Sequence, residues 1–280
     1  MGLGRYLRQR IAVPIVERLT AHGQLLAETH LRELLSKAPY TDPGRLEPYG
    51  YRSFSQNDED GIIEEIFRRI GIEHRTFVEF GVQDGMENNS RLLLYQGWRG
   101  LWIEADSKAC AAIRRNFSTE LGEGRLQLLN EWVTPANIGE LIRSAGFENL
   151  DLLSIDVDGP DYWIWESIEI RPRVVVIEYN AKFRPPTRWV MAQNTQRRWN
   201  FTDYHGASLQ SLADLGAAKG YRLVGSCLAG VNAFFVRDDL VQDRFAKGDA
   251  AAFFNPPRYY LQYFMACGHP PGPFGPYVSK

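Results

Sequence analysis

Apolar and polar positions along the chain change their spacing in a regular way from residue 54 onward. Stretches with apolar side chains at the helical period alternate with short, almost continuously apolar runs such as VVVIE at 174–178. Such runs are typical of strands in the buried centre of a parallel sheet, and their alternation with helices predicts a doubly wound α/β domain. Ligands of such a sheet bind outside the carboxyl ends of its strands.

The pattern predicts seven strands in one sheet. The first five alternate with helices, which makes them parallel, whereas the last two, YRLVGSCLAG and NAFFVRD, are joined by a tight turn at Ala229-Gly230. A turn this short pairs its two strands antiparallel. The expected fold class is therefore a Rossmann-like α/β domain with a mostly parallel sheet and an antiparallel last strand.

Residues 1–50 precede this domain and are predicted to form a helical arm and a linker. Ile11, Ile15 and Leu19 recur at the helical period, and a second apolar set begins at Leu25, which predicts a pair of amphipathic helices. We expect this arm to pack on the domain, or on a second subunit in a homodimer, rather than on a membrane. Charged residues interrupt every long apolar run, so neither a signal peptide nor a transmembrane helix is expected.

The α/β domain is expected to span residues 51–242, followed by an extension rich in proline and aromatic residues at 243–280. The chain of 280 residues is 44% hydrophobic and 24% charged, with a formal net charge of -2. A near-neutral balance does not favour a nucleic-acid partner, because phosphate contacts require a basic surface. The cysteines are widely spaced and form no CxxC pair, which fits the cytoplasm and argues against a disulfide framework or a zinc site.

A polar insertion at 181–204 follows the fifth predicted strand. It is too long for an ordinary connection, so we interpret it as a substrate lid. Trp189 and Trp199 are candidates for stacking on sugar faces, and Arg184 and Arg188 for binding a phosphate or a carboxylate. A solvated face is the alternative interpretation of the arginines.

The stretch FVEFGVQDGMENNS, at 77–90, places a glycine loop directly after the first predicted strand. Such a loop allows a ligand to approach the backbone at a helix N-terminus. A phosphate loop would need GxxxxGK[ST] and a dinucleotide fold GxGxxG, whereas this loop has only Gly81 and Gly85. The spacing therefore does not support either kind of nucleotide loop.

Carboxylates accompany the loop: Glu79 lies near the end of the first predicted strand, Asp84 lies in the loop, and Glu104 ends the second predicted strand. S-adenosylmethionine carries a cationic sulfonium and an ammonium group, which carboxylates attract, and its ribose diol pairs with an acid at the end of strand two. The charge pattern therefore favours this methyl donor. The alternative is structural, with Glu79 bonded to backbone amides and Asp84 forming a turn.

The run EFGVQDGMENNSRLLLYQGWRGLWIEAD resembles the FkbM-type branch of class I methyltransferases, with its Asp-Gly loop, polar NS pair, GW turn and acid after Ile. SQNDEDGIIEEIF also resembles the helix that these proteins place before strand one. The resemblance covers Phe54 to Asp239 and implies methyl transfer from S-adenosylmethionine to a hydroxyl of a sugar, a glycolipid or a secondary metabolite. The cofactor-binding residues that it implies are Glu79, Gly81, Asp84, Gly85, Glu104, Ala105, Asp106, Asn130 and Asp156.

Acids also end the fourth and fifth predicted strands. SIDVDGPDYW places Asp156 and Asp158 after strand four, and VVIEYN places Glu178 and Asn180 after strand five. Adjacent strands lie about 4.8 Å apart, so these tips are expected to face one crevice. Asp156, Glu178 and Asn180 would suit a hard divalent cation such as Mg²⁺, which would make an acceptor hydroxyl more acidic. The alternative is a metal-free site in which Asp156 orients the acceptor or acts as base.

His205, in DYHGASLQSL, is a second candidate for the base, because imidazole takes up a proton near neutral pH. It lies just before a helix that Ser208 is predicted to cap. A loop histidine with one local hydrogen bond is the alternative. Asp158 and Trp163 complete the predicted substrate contacts.

Two other functions share this predicted fold. An NAD(P)-dependent oxidoreductase would use the βαβ unit and Glu104, but it would need closely spaced glycines. A non-catalytic binding protein would retain the cleft without turnover.

Overall fold

The structure is a computed structural model that describes residues 13–193, 202–261 and 277–278. Its strands are β1 Thr76–Phe80, β2 Arg99–Ile103, β3 Leu126–Leu129, β4 Leu152–Ile155, β5 Val174–Glu178, β6 Val190–Met191, β7 Tyr221–Ser226, β8 Asn232–Arg237 and β9 Tyr277–Val278. Its helices are α1 Val13–Leu35, α2 Glu59–Ile70, α3 Arg91–Tyr95, α4 Ser107–Asn116, α5 Ser118–Gly122, α6 Ile138–Ser144, α7 Asp161–Ser167, α8 Leu209–Ala218, α9 Asp238–Val241 and α10 Ala250–Phe253. Short 3-10 turns lie at Glu47–Tyr49 and Tyr259–Leu261.

The central sheet has seven strands in the order β3-β2-β1-β4-β5-β8-β7. The strands β1 to β5 are parallel to one another, and β8 is antiparallel to both β5 and β7. The predicted fold class is confirmed, since this is a Rossmann-like, mostly parallel α/β sheet with an antiparallel last strand. The order reverses between β1 and β4, which opens a crevice at the carboxyl ends of these strands.

Both faces of the sheet are buried. Val78, Leu101 and Leu153 belong to the core on one face, and Phe77 and Trp102 belong to the core on the other. Successive side chains of a strand point to opposite faces, so a strand buried on both sides is apolar at every position. This burial is the physical reason for the continuous apolar runs in the sequence.

Over residues 13–35 the N-terminal arm forms one continuous helix, where the sequence analysis predicts two. Helix α1 runs through Gly23 without a break over 23 residues. Ile15, Leu19 and Leu25 are 52%, 66% and 60% exposed, whereas the C-terminal part of the helix lies against the 259–261 turn. None of the helices in the described ranges is long and apolar enough to cross a membrane.

Three local predictions can be compared with the structure. The predicted cap is confirmed, because the Ser208 hydroxyl accepts a hydrogen bond from the Ser211 backbone N–H at the start of α8. The Ala229-Gly230 turn is also confirmed between β7 and β8, with the N–H of Gly230 donating to the Cys227 carbonyl. The stretch LQLLNEWV at 126–133 predicts the third strand, but β3 ends at Leu129, and Asn130 donates to the carbonyl groups of residues 104 and 105.

Candidate functional site

The glycine loop after β1 brings two strand tips together. Gly81 has a φ of 81°, and a Cβ atom at this position would lie 1.6 Å from the backbone oxygen of Asp156. Gly85 also has a positive φ, and a Cβ atom there would lie 2.8 Å from the Trp102 ring and 2.9 Å from the Phe117 ring. Side chains are therefore excluded at both positions, by the tip of β4 at the first and by core aromatics at the second.

Glu79 lies behind this loop and holds it in place. Its carboxylate accepts hydrogen bonds from the backbone N–H groups of Asn89 and Ser90, each at 2.9 Å, and from the hydroxyls of Ser90 and Ser154. Burial raises the pKa of Glu79, and the hydrogen bonds from the loop oppose that rise. Glu79 is predicted to bind the cofactor, but it is not among the residues that line the cleft, which include another acid.

That acid is Glu104, which follows β2. One of its carboxylate oxygens accepts from the Gln83 N–H and the other from the Asp106 N–H, both at 2.8 Å. Asn130 braces the same turn from the next strand by donating to the carbonyl groups of Glu104 and Ala105. The glycine loop and the tip of β2 are thus joined through a single carboxylate that lines the cleft.

The cleft at these strand tips has a volume of ≈ 170 Å³. It is lined by residues from the tips of β1, β2, β3 and β4 and from the loops that follow them: Gly81, Gln83, Ile103, Glu104, Ala105, Glu131, Trp132, Val133, Asp156, Val157, Asp158 and Pro160. Of the predicted cofactor-binding residues, the lining includes Gly81, Glu104, Ala105 and Asp156.

The other predicted cofactor residues support the walls of the cleft. Asp106 caps α4 by accepting from the N–H groups of residues 108 and 109. Asp84 is exposed and accepts from the Met86 N–H within a turn. Asn130 braces the turn after β2, and Gly85 leaves room for the aromatic rings that pack behind the loop. Their positions give them a structural role within the described part of the chain.

Three carboxylates converge beside the cleft at the tips of β4 and β5. One oxygen from each of Asp156, Asp158 and Glu178 lies within 4.8 Å of the others. Asn180, predicted as a metal ligand, faces elsewhere: its amide donates to the carbonyl groups of Asp203 and His205, and its oxygen accepts from the N–H of residue 182. The structure therefore replaces Asn180 with Asp158 in the acidic cluster.

Crowding and burial shift the acidity of the cluster. Burial raises the pKa of Asp156 well above its usual range, and the charges of Glu178 and Asp158 raise it further. Burial likewise raises the pKa of Glu178, with Asp158 and Asp161 adding to the effect. The pKa of Asp158 rises to about 6 through burial and the charge of Asp161, while His205 opposes the rise. These carboxylates hold protons more tightly than ordinary acids do.

The turn after β4 and a histidine next to Glu178 complete the surroundings of the acidic cluster. Asp161 accepts from the N–H groups of Val157 and Gly159, both at 2.8 Å, and so closes the turn after β4. Asp158 lies in that turn with a φ of 55°. His205 Nδ1 lies 3.3 Å from Glu178 Oε2, and both side chains are buried. Of the predicted base candidates, His205 thus lies beside Glu178, and Asp156 belongs to the same acidic cluster as Glu178.

The predicted lid residues form a small core of their own. Trp189 is buried, with its ring stacked on Phe183 at a centroid distance of 4.4 Å and edge-on to Tyr204 at 5.8 Å. Its predicted role in stacking on a sugar is therefore not supported by its position. Trp163 donates its indole N–H to the Met191 carbonyl at 2.8 Å.

The lid arginines lie on the outer surface of this small core. Arg188 pairs with Asp214 of α8 at 2.7 Å, and Arg184 is exposed. Trp199 lies outside the described residues. Neither arginine is among the residues that line the cleft, whereas the turn after β4 contributes residues 156–158 and Pro160.

Several cleft residues were missed by the sequence analysis. Gln83 contributes a backbone N–H to the Glu104 carboxylate, and Glu131, Trp132 and Val133 form a wall beyond β3. The available signal was the EWV tripeptide, which was assigned to the end of a strand. Backbone donors and loop walls carry no residue-type signature, so local pattern alone does not reveal them.

Comparisons with protein-family models and with curated proteins give no match. Among solved structures, a Klebsiella pneumoniae protein designated an O-methyltransferase is 17% identical, with 78% of this chain and 99% of that chain covered and a TM-score of 0.43. The glycopeptide N-methyltransferase MtfA, complexed with S-adenosyl-L-homocysteine, is 12% identical, with 67% and 90% covered and a TM-score of 0.40.

A third solved structure, the O-MT segment of StiE, is 14% identical, with a TM-score of 0.36. The match covers 59% of this chain and about half, 53%, of that chain. Identities and TM-scores this low carry no argument about activity. The function of this chain has to be argued from its own site.

Proposed function

We propose that this protein is an S-adenosylmethionine-dependent methyltransferase that methylates a hydroxyl oxygen. The observation that carries the proposal is the position of Asp156, which belongs both to the cleft and to the acidic cluster. A cofactor in the cleft and an acceptor at the cluster would therefore meet at one residue. The strand order supports the same arrangement, since the cleft lies at the switch point of the sheet.

The cleft fits the chemistry of the methyl donor. Each Glu104 oxygen uses one acceptor position for a backbone N–H and retains capacity for a ribose hydroxyl. Gly81 exposes its backbone at the wall, and Asp156 and Asp158 place negative charge where a sulfonium would lie. The bound cofactor would supply an electrophilic methyl group for in-line attack by the acceptor oxygen.

The acidic cluster also fits a divalent cation. Glu178 Oε2 is buried and has no hydrogen-bond partner within the described residues, although it lies near two further carboxylates. An all-oxygen donor set of this kind suits Mg²⁺ or a similar hard cation, with Asp156, Asp158 and Glu178 as ligands. Such an ion would lower the pKa of an acceptor hydroxyl.

The residues of this chain would manage the proton and the geometry. Asp156 faces the cleft and would orient the acceptor hydroxyl toward the cofactor. His205 Nδ1 lies 3.3 Å from Glu178 Oε2, so the imidazole stands beside the acidic cluster and would receive the hydroxyl proton at Nε2. The β4 turn, closed by Asp161, keeps these groups fixed and limits water entry.

The acceptor class is proposed from the resemblance of the sequence to FkbM-type enzymes: a sugar, a glycolipid or a secondary metabolite. A cytoplasmic setting belongs to the same proposal, and the wide spacing of the cysteines supports it. A homodimer through α1 is also part of it, supported by the exposed apolar side chains of Ile15, Leu19 and Leu25.

Two measurements test the function. Calorimetry with S-adenosylhomocysteine is expected to show binding, whereas NAD⁺ should release no heat. Transfer of a labelled methyl group to a cell-envelope extract is expected with the wild-type chain and not with Asp156→Asn. NAD⁺ binding in place of S-adenosylhomocysteine would favour the oxidoreductase, and cofactor binding without transfer to any hydroxylated acceptor would favour the binding protein.

A further inference from the structure

A second group of metal-ligating side chains lies outside the cleft, between the start of α2 and the turn joining β7 and β8. One ligand atom from each of Asp58, Glu59 and Cys227 lies within 4.8 Å of the others. Glu59 and Cys227 are fully buried. None of the three residues lines the cleft described above. The group joins distant parts of the chain: Asp58 and Leu228, the residue after Cys227, are separated by 170 positions.

The sulfur atom of Cys227 is the acceptor of two backbone hydrogen bonds. The N–H groups of Val231 and Asn232 donate to it at 3.2 and 3.1 Å. Donors directed at a sulfur stabilise the anionic thiolate, which is the form that binds metals. Burial and the nearby charges of Asp58 and Glu59 act in the opposite direction and raise the thiol pKa. A cation among these groups would remove that conflict.

Buried oxygen atoms around the cluster give a second, independent observation. Asn57 and Asn232 both donate their side-chain N–H to the Glu59 carboxylate, each at 2.8 Å. The Oδ1 atoms of these two amides have no hydrogen-bond partner within the described residues, although Asn232 is 97% and Asn57 91% buried. Each of these oxygens therefore belongs to an amide that contacts Glu59 through its nitrogen.

Asp58 is also arranged for a ligand rather than for its helix. It occupies the N-cap position of α2 but makes no side-chain capping bond. One of its oxygens accepts from the Leu228 N–H at 3.2 Å, and the other, Oδ1, is buried without a hydrogen-bond partner among the described residues. Buried polar atoms are rarely left unsatisfied in proteins, so these three oxygens, on Asp58 and on the two amides bonded to Glu59, point to a bound species.

We propose that Asp58, Glu59 and Cys227 form a structural site for a divalent transition-metal ion such as Zn²⁺. A thiolate combined with carboxylates suits zinc, whereas Mg²⁺ and Ca²⁺ select sites made of oxygen atoms alone. The ion would join the segment before α2 to the β7–β8 turn, and so fix the edge of the sheet next to Glu178, which pairs with Asn232. The sequence analysis excluded zinc because the ligands are not closely spaced cysteines; the fold brings them together instead.

Cobalt spectroscopy of the full-length chain tests this site. Co²⁺ bound to a thiolate gives an intense near-ultraviolet charge-transfer band, so we expect one equivalent of Co²⁺ to produce the band in chelator-treated wild-type protein. Zn²⁺ should abolish it and Mg²⁺ should not, which separates this site from the all-oxygen cluster in the cleft. Zn²⁺ at about 100 times its dissociation constant is expected to raise the melting temperature by about 5 °C or more.

Two variants and a control assign the ligands. Cys227→Ser should abolish the band, whereas Cys110→Ser, which changes another buried cysteine, should retain it. Asp58→Asn removes a charge beside Glu59, so it should fold at least as well as the wild type without metal, yet bind Co²⁺ at least tenfold more weakly.

Three results would overturn the proposal. They are a wild-type chain that gives no band and no thermal shift with Zn²⁺, a band that survives in Cys227→Ser, and an Asp58→Asn chain that binds Co²⁺ with unchanged affinity. Methyl transfer need not be measured for any of them.

Discussion

The two ends of the cleft use the same residue types in different ways. At the tips of β1 and β2, the carboxylates of Glu79 and Glu104 accept hydrogen bonds from backbone N–H groups of the loops around them. At the tips of β4 and β5, Asp156, Asp158 and Glu178 face one another instead. The number of backbone donors, rather than the number of acids, separates the two ends.

This difference shows that the surroundings of a carboxylate decide whether it supports the structure or takes part in chemistry. Backbone donors favour the charged form of a carboxylate and tie it to a loop, whereas crowding by other acids favours the binding of a proton or a cation. The cofactor end of the cleft is therefore expected to respond to mutation through stability and binding. The acceptor end is expected to respond through turnover.

The largest expected effect is at the acceptor end. Glu178→Gln should lower methyl transfer by about 10²-fold or more, because it removes the partner of His205 and one oxygen of the cluster. Affinity for S-adenosylhomocysteine should change less than threefold, or about 0.6 kcal/mol. The matched control is Glu169→Gln on the surface. A variant that keeps full turnover would remove Glu178 from the mechanism.

The next effect is on stability at the cofactor end. Glu79→Ala should lower the free energy of unfolding by about 2–5 kcal/mol, because two buried N–H groups and the Ser154 hydroxyl lose their acceptor. Urea denaturation followed by circular dichroism measures it. Thr76→Ser in the same strand is a mild control. A loss of less than about 1 kcal/mol would contradict the loop-holding role of Glu79.

Substitution of Glu104 should affect cofactor affinity more than stability, which is the reverse of the expectation for Glu79. Glu104→Ala is expected to weaken S-adenosylhomocysteine binding by about 10- to 100-fold, since hydrogen bonds to charged groups contribute about 1.5–3 kcal/mol. Its stability should fall by less than Glu79→Ala, because the released N–H groups of Gln83 and Asp106 lie at exposed positions and can bond to water. Calorimetry measures the affinity, and unchanged binding would exclude Glu104 as the ribose partner.

Proton and cation should compete at the acidic cluster. The raised pKa values mean that the folded chain binds more protons than the unfolded chain, so without a cation its stability falls as the pH rises through the Asp158 value of about 6. Mg²⁺ should therefore raise the melting temperature by a few degrees at about pH 8. At about pH 5, it should cause no measurable change in the melting temperature. A Mg²⁺ effect that does not depend on pH would indicate binding elsewhere.

The smallest expected effect is at Asp84. This residue is exposed and holds only the Met86 N–H in a turn, so Asp84→Ala should change stability by about 0.5 kcal/mol and cofactor affinity less than twofold. Calorimetry on the variants at residues 84 and 104 compares the two acids directly. A tenfold loss of affinity in Asp84→Ala would show that the loop moves toward the cofactor.

The sequence by itself determined the elements, the sheet class and the neighbourhood of the site. Continuous apolar runs such as VVVIE identify strands buried on both faces, and acids directly after such runs must lie at one edge of a parallel sheet. The placement of Glu104, Asp156 and Glu178 at strand tips follows from this rule. These features depend on the spacing of apolar and acidic residues along the chain, which can be read directly from one sequence.

Only the tertiary structure decided which acids do what. The amide of Asn180 turns to the 203–205 backbone. Asp158 turns to the cluster because it has a positive φ in the turn after β4, which Asp161 closes. Asp58 meets Cys227 because the turn joining β7 and β8 lies against the start of α2, where the Leu228 N–H donates to Asp58. Side-chain direction and long-range contact depend on register and loop geometry, and neither is encoded in the spacing of residues along the chain.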